Sequence, residues 1–171
     1  ELRKSLLARI ALLEQRRAPA DLQLGDDVTR QAAGQLLRRV LQLDYVMVAS
    51  DATAQVAHEP HIEGMPHPRA YGTFSKVLGP LSRDAGLFPL ETAVAKMTGM
   101  PARQLVFTDR GLVAAGYHAD LAIFDAGRVA DNSTFKKPHQ YSTGMVHLFV
   151  NGTPVIEAGK LTGSRPGKVV S

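Results

Sequence analysis

Cysteine is missing altogether from the 171 residues, which excludes disulfides and thiolate metal sites within the chain. Missing too is any apolar run near the roughly 20 residues that a membrane-spanning helix needs. The longest, Tyr45-Val46-Met47-Val48-Ala49, has the length of a strand. No basic-apolar-small leader opens the chain. It begins with Glu1, inside what reads as a helix, so a start further upstream is expected, with the cytoplasm as the default location. Excess charge is mild, at 20 Lys and Arg against 16 Asp and Glu. The basic residues are spread thinly over 1–17 and the tail from Lys160, without interleaved aromatics, so neither nucleic acid nor membrane is an expected partner. Neither a Gly-x-Ser-x-Gly elbow nor a Gly-rich phosphate loop is present, which removes support for a serine hydrolase or a nucleotide site. A complete (β/α)8 barrel needs roughly 250 residues and does not fit in this length.

What is present has the composition of an ordinary globular chain, 44% hydrophobic and 21% charged. Leu2, Leu6, Ile10 and Leu13 form one apolar stripe, which predicts a helix over 2–17. Asp26-Asp27 predicts the start of another, running to about Leu41 with Leu36, Leu37, Val40 and Leu41 inward. The unbroken run at 45–49 suits a strand buried on both faces, and Ser50-Asp51 follows at its C-terminal end. Residues 52–72 lack periodicity and hold three of the six histidines with Pro60, Pro66 and Pro68, so they read as a long loop. Helix is predicted again over 73–83 and from Pro89-Leu90 to Met97, with Gly99-Met100-Pro101 as its stop. After Pro101 the texture turns to β: 111–116, 120–125 and 146–150, with Asn151-Gly152 as a hairpin turn before Pro154-Val155-Ile156. The change near residue 101 marks the expected division of the chain.

Asp51 is the leading candidate for chemistry. A carboxylate at the end of a buried α/β strand can ligate a metal and carry a proton. The competing reading is a residue that caps the strand and bonds its own loop. His58, His61 and His67 share the loop with Glu59 and Glu63, but no pair has His-x-His or helical i,i+4 spacing, so polar loop residues are the simpler reading. In His67-Pro68-Arg69, the stiff proline beside an arginine suits bidentate binding of a carboxylate.

Several strings then match one family in order. They are Val46-Met47-Val48-Ala49-Ser50-Asp51, His67-Pro68-Arg69-Ala70-Tyr71-Gly72-Thr73-Phe74, and Glu91-Thr92-Ala93-Val94-Ala95-Lys96-Met97-Thr98-Gly99. Asp109-Arg110-Gly111-Leu112-Val113-Ala114-Ala115-Gly116, Ala119-Asp120-Leu121-Ala122-Ile123-Phe124-Asp125, Pro138-His139-Gln140-Tyr141-Ser142-Thr143-Gly144 and Val150-Asn151-Gly152 follow. Together they resemble the C-terminal third of the N-acyl-D-amino-acid deacylases (D-aminoacylases) of the amidohydrolase superfamily, from about Tyr45 to Lys168.

The resemblance implies an α/β fold. Residues 1–103 would be the C-terminal part of a metal-dependent (β/α)8 barrel, and 104–171 a segment of a small β-sandwich. It implies zinc, with Asp51 as the essential acid that takes a proton from metal-bound water and passes it to the leaving amine, and as one metal ligand. The remaining ligands belong upstream. Arg69, with His67 beside it, would bind the α-carboxylate of an N-acyl-D-amino acid. Ala52 stands where the family has Gly, and a Cβ there would strain a backbone of positive φ. The expectation is a fragment of a zinc-dependent hydrolase, inactive alone and prone to self-association through the apolar edge at 45–49. Two alternatives stay open: an amidohydrolase acting on cyclic amides or dipeptides, and a non-catalytic β-rich association module.

Overall fold

The computed structural model describes residues 23–53, 55–57 and 64–169, with side chains of the first helix only from residue 31 onward. The helix expected over 2–17, and His58 and His61, lie outside the described residues. The chain divides into two compact units, Glu1–Val46 and Met47–Ser171.

In the first unit, helix α1 spans Gln23–Leu41, three residues longer at its start than the Asp26 signal suggested. Ala33, Leu37, Val40 and Leu41 are half-buried, a stripe at helical spacing, whereas Leu36 is exposed rather than inward. Arg38 and Arg39 lie in the last turn, where cations favour the helix dipole.

The second unit opens with extended chain that is not a strand. The run at 45–49 was expected to pair on both sides. Here Val48 N–H donates to the carbonyl of Lys96 at 3.1 Å, and no strand precedes Leu121 among the described residues. Strand character is a property of the ladder, and among the described residues no strand lies beside this β-branched run.

Helix α2 spans Arg69–Lys76 and continues as a π-helical turn pair, Val77–Asp84. Tyr71 and Gly72 N–H both bond the carbonyl of Pro68, so the helix starts at His67-Pro68-Arg69 and not at Thr73. Pro80 explains the widening. It has no N–H and its ring crowds the preceding turn, so the ladder shifts to wider bonds such as Ala85 N–H to Pro80 O, 3.1 Å. Helix α3, Leu90–Met97, starts behind Pro89 as the sequence suggests. It ends at Thr98, and Gly99-Met100-Pro101 opens helix α4, Gly99–Gln104, instead of stopping the chain. Pro101 fits there because first-turn N–H groups lack partners anyway. After α4, Val106 N–H bonds Arg103 O and Phe107 N–H bonds Ala102 O, a Schellman closure with Val106 in the left-handed region at φ 62°.

Residues 111–116 form a turn, not a strand. Gly111 and Gly116 both have φ 84°, and the turn is pinned by an ion-pair cluster. Arg110 pairs with Asp120, His118 Nε2 lies 3.2 Å from Asp109, and Asp120 also accepts the Asn151 N–H at 2.7 Å. One antiparallel sheet follows, in the order β1 (Leu121–Phe124), β2 (Met145–Val150), β3 (Thr153–Glu157), β4 (Lys160–Leu161). Asn151-Gly152 turns β2 into β3 with φ 49° and 77°, as the primed two-residue hairpin requires. Ala158-Gly159 repeats the pair of positive φ values, 47° and 77°, between β3 and β4.

The tightest packing joins α2 and its π continuation to the segment before β2. Val129 and Ala93 are fully buried, and Val77, Leu78, Phe88 and Ala102 nearly so. Gly72 and Gly79 are two helical turns apart on one face. A Cβ on Gly79 would sit 2.2 Å from the carbonyl oxygen of Val129, and one on Gly72 1.8 Å from the Asp131 carboxylate. Arg83 then donates to the carbonyls of Val129 (2.8 Å) and Ala126 (3.2 Å), closing the same contact. The division expected at 103/104 lies within this unit.

Candidate functional site

Asp51 ends the extended segment with φ 49°. Aspartate tolerates the left-handed region better than most residues, since its short side chain bonds locally. The strained position is therefore Asp51 itself. Ala52 lies outside the left-handed region, so the Cβ expected to be costly meets no such penalty.

Arg69 is the first residue of α2, and its carbonyl accepts the Thr73 hydroxyl at 2.9 Å. Its Nη2 lies 3.2 Å from Oδ2 of Asp51, bringing the two leading candidates into one ion pair. The pair is lopsided. The arginine side chain is 29% exposed and the aspartate 80%, so the anchor is seated while the acid reaches into open space. His67 shapes the approach. Its Nδ1 accepts the Arg69 N–H at 3.1 Å, and its ring meets Phe135 edge-on at 4.9 Å. The imidazole thus fixes the turn that presents the arginine.

Around this pair lie residues to which the sequence reading assigned no role, although their strings were noted. Tyr71 Oη donates to Val56 O at 3.0 Å, and Ala57 N–H donates to Tyr141 Oη at 3.0 Å. The tyrosine rings are 6.1 Å apart, and His139 lies 5.9 Å from Tyr71. Burial, and secondarily the neighbouring Tyr141, pushes the Tyr71 phenol above its ordinary pKa. Ser142 Oγ bonds the Tyr71 carbonyl and shares a short contact with Ser75 Oγ. The signal that could have found them is their clustering in two of the matched strings.

The carboxylate of Asp51 is of the type that could serve a metal. Among the described residues no three His, Asp or Glu side chains gather into a group that could hold an ion. They do not make a zinc site by themselves. Among the described residues, too, no helix is long and apolar enough to cross a membrane.

Residues 13–156 match the model of an amidohydrolase family. A D-aminoacylase of Alcaligenes xylosoxydans xylosoxydans is 44% identical over 135 residues, covering 79% of this chain and 26% of that protein. A crystal structure of D-aminoacylase, described as defining a novel subset of amidohydrolases, superposes with a TM-score of 0.67 at 46% identity, over 75% of this chain and 26% of the other. An N-acyl-D-glutamate deacylase from Bordetella bronchiseptica, solved with zinc and a phosphonate mimic of the tetrahedral intermediate, gives 0.62 at 38% identity, over 71% and 24%. The chain spans about a quarter of the length of these relatives.

Proposed function

Because the chain belongs to the amidohydrolase family, we propose that it is the C-terminal portion of a zinc-dependent deacylase that cleaves the amide of N-acyl-D-amino acids to a D-amino acid and a carboxylate. In this reading residues 1–103 complete a (β/α)8 barrel, the run at 45–49 pairs as its last strand, and 104–171 supply part of a small β-sandwich. The four-stranded sheet supports the last point, since its strands are only half-buried and leave apolar surface such as Ile123 to be covered. Alone, the described residues gather no zinc-binding set and the chain is inactive, and the apolar segment at 45–49, which joins no strand among the described residues, promotes self-association.

The observation that carries the proposal is the Asp51–Arg69 pair. Asp51, with donors from the rest of the protein, would hold zinc, which would supply a Lewis acid and lower the pKa of a bound water. Asp51 accepts a proton from the attacking water and delivers it to the departing amine, a role that its exposed carboxylate supports. Arg69 receives the substrate's α-carboxylate. Its guanidinium has five N–H donors in a rigid fork, so it can take a second carboxylate while Asp51 stays beside it. Seating it at a helix start, with His67 behind it, limits the freedom lost on binding.

The test is substrate choice by the whole zinc-loaded protein. A linear N-acyl-D-amino acid should be hydrolysed, and a cyclic amide or a dipeptide should not. Arg69→Lys, which keeps the charge but loses the fork, should raise KM for the linear substrate about 10–100-fold, the worth of a charged hydrogen bond. Preferential turnover of the cyclic amide, unaffected by Arg69→Lys, would refute the proposal.

A further inference from the structure

We propose that Tyr71 and Tyr141 are positioning residues which fix the loop between Asp51 and Arg69 by gripping one peptide group. This rests on the reading of Asp51 and Arg69 just given. The carbonyl of Val56 and the N–H of Ala57 belong to the same peptide unit. Tyr71 donates to one end and Tyr141 accepts from the other, each at 3.0 Å. Both polar ends of that unit are thereby occupied by phenol groups whose rings meet edge-on.

Each phenol has a firm support. Tyr71 is on α2, two residues after Arg69, and so moves with the anchor. Tyr141 belongs to a segment tied to itself and to α2. Asn132 Nδ2 donates to Tyr141 O at 2.9 Å, Ser133 Oγ to Pro138 O at 2.7 Å, and Gln140 Nε2 to Asn132 O at 2.7 Å. Ala130 and Thr143 bridge the base of this segment, and Ser142 bonds Tyr71 O at 3.2 Å. The His139 ring packs against Tyr71 from another side. In contrast, the described residues of the loop have no helix or strand of their own. A connection this long can follow many paths, and the spacing of its two ends decides whether a proton carrier and a carboxylate fork meet one substrate.

The experiment uses the whole zinc-loaded enzyme with Tyr71→Phe, Tyr141→Phe and the double change, which remove the hydroxyls and keep the rings. Hydrogen–deuterium exchange should quicken over 51–67 in the double variant and stay unchanged over α3 and the sheet. With an N-acyl-D-amino acid, KM should rise and kcat fall about tenfold each at unchanged zinc content, the scale of a small misplacement at a reacting centre. A merely structural loss would lower the active fraction and leave KM alone, so unchanged KM with unchanged exchange overturns the proposal. If the double variant does not fold, Tyr141→Phe alone is read by the same two measurements. Asp51→Asn serves as the control. Wild-type turnover in that variant would remove the underlying reading, whereas an inactive Asp51→Asn beside fully active tyrosine variants would remove only the grip.

Discussion

The two partners of the central ion pair come from regions built on opposite plans. Arg69 opens a helix whose continuation lies against Val129, where the backbones approach so closely that Gly79 leaves no room for a Cβ, and Gly72 on the same face leaves none beside the Asp131 side chain. Asp51 ends a segment with no ladder, bonded to Lys96 through Val48 and exposed at its tip. One region carries its own packing, while the other has the composition of a buried strand and joins no ladder among the described residues. In the proposed reading the contrast separates an arginine seated by this chain from an acid whose strand the rest of the protein completes.

That comparison can be broken most forcefully at the acid. In the whole protein Asp51→Asn keeps the shape and removes the proton acceptor, so kcat should fall by about 10²–10⁴-fold in a steady-state assay. Next comes the packed side. Gly79→Ala forces a methyl group onto the Val129 carbonyl and should cost about 1–3 kcal/mol in urea denaturation. Gly72→Ala should cost less, since it meets a side chain rather than backbone. A smaller effect of opposite sign is expected after α4. Val106 is a β-branched residue at φ 62°, so Val106→Gly should raise stability by about 1 kcal/mol, visible as a higher Tm.

The smallest effect concerns pH. The hydrogen bond from Arg83 to Asp84, 2.7 Å, lowers the Asp84 pKa below the usual carboxylate range. A lowered carboxyl contributes stability above its unfolded value, about pH 4, and loses it as pH falls through the folded value. Asp84→Asn should therefore lower stability slightly at neutral pH, only slightly because the pair is solvated, and make no difference below the folded value, so that the acid limb flattens. Acid unfolding curves of the two proteins would show it.

Legibility from sequence followed how local each cause is. Helix α3 was readable because Pro89 and Glu91 mark its start chemically, and the β2–β3 hairpin because Asn151-Gly152 suits left-handed φ values. The β3–β4 turn escaped notice because alanine, a poor turn signal, occupies the same conformation at Ala158. The π continuation was hidden because apolar spacing does not report the width of a turn, and the start of α2 because His67-Pro68-Arg69 reads as loop until a helix is seen to follow it. The run at 45–49 is extended chain rather than strand here, since its composition answers to neighbours that the described residues do not include. Asp51 and Arg69 were each named from their own surroundings, and the resemblance assigned them to one site. Their direct contact depends on the course of a loop that has no periodicity, and the tyrosines acting on that loop act through hydroxyls that no spacing rule singles out.

The most direct test of the account is a crystal structure of the whole protein with zinc and a phosphonate mimic of an N-acyl-D-amino acid. The account predicts the Asp51 carboxylate within hydrogen-bond reach of the phosphonate and the Arg69 fork on the α-carboxylate. An inhibitor bound with both side chains turned away from it would contradict the account.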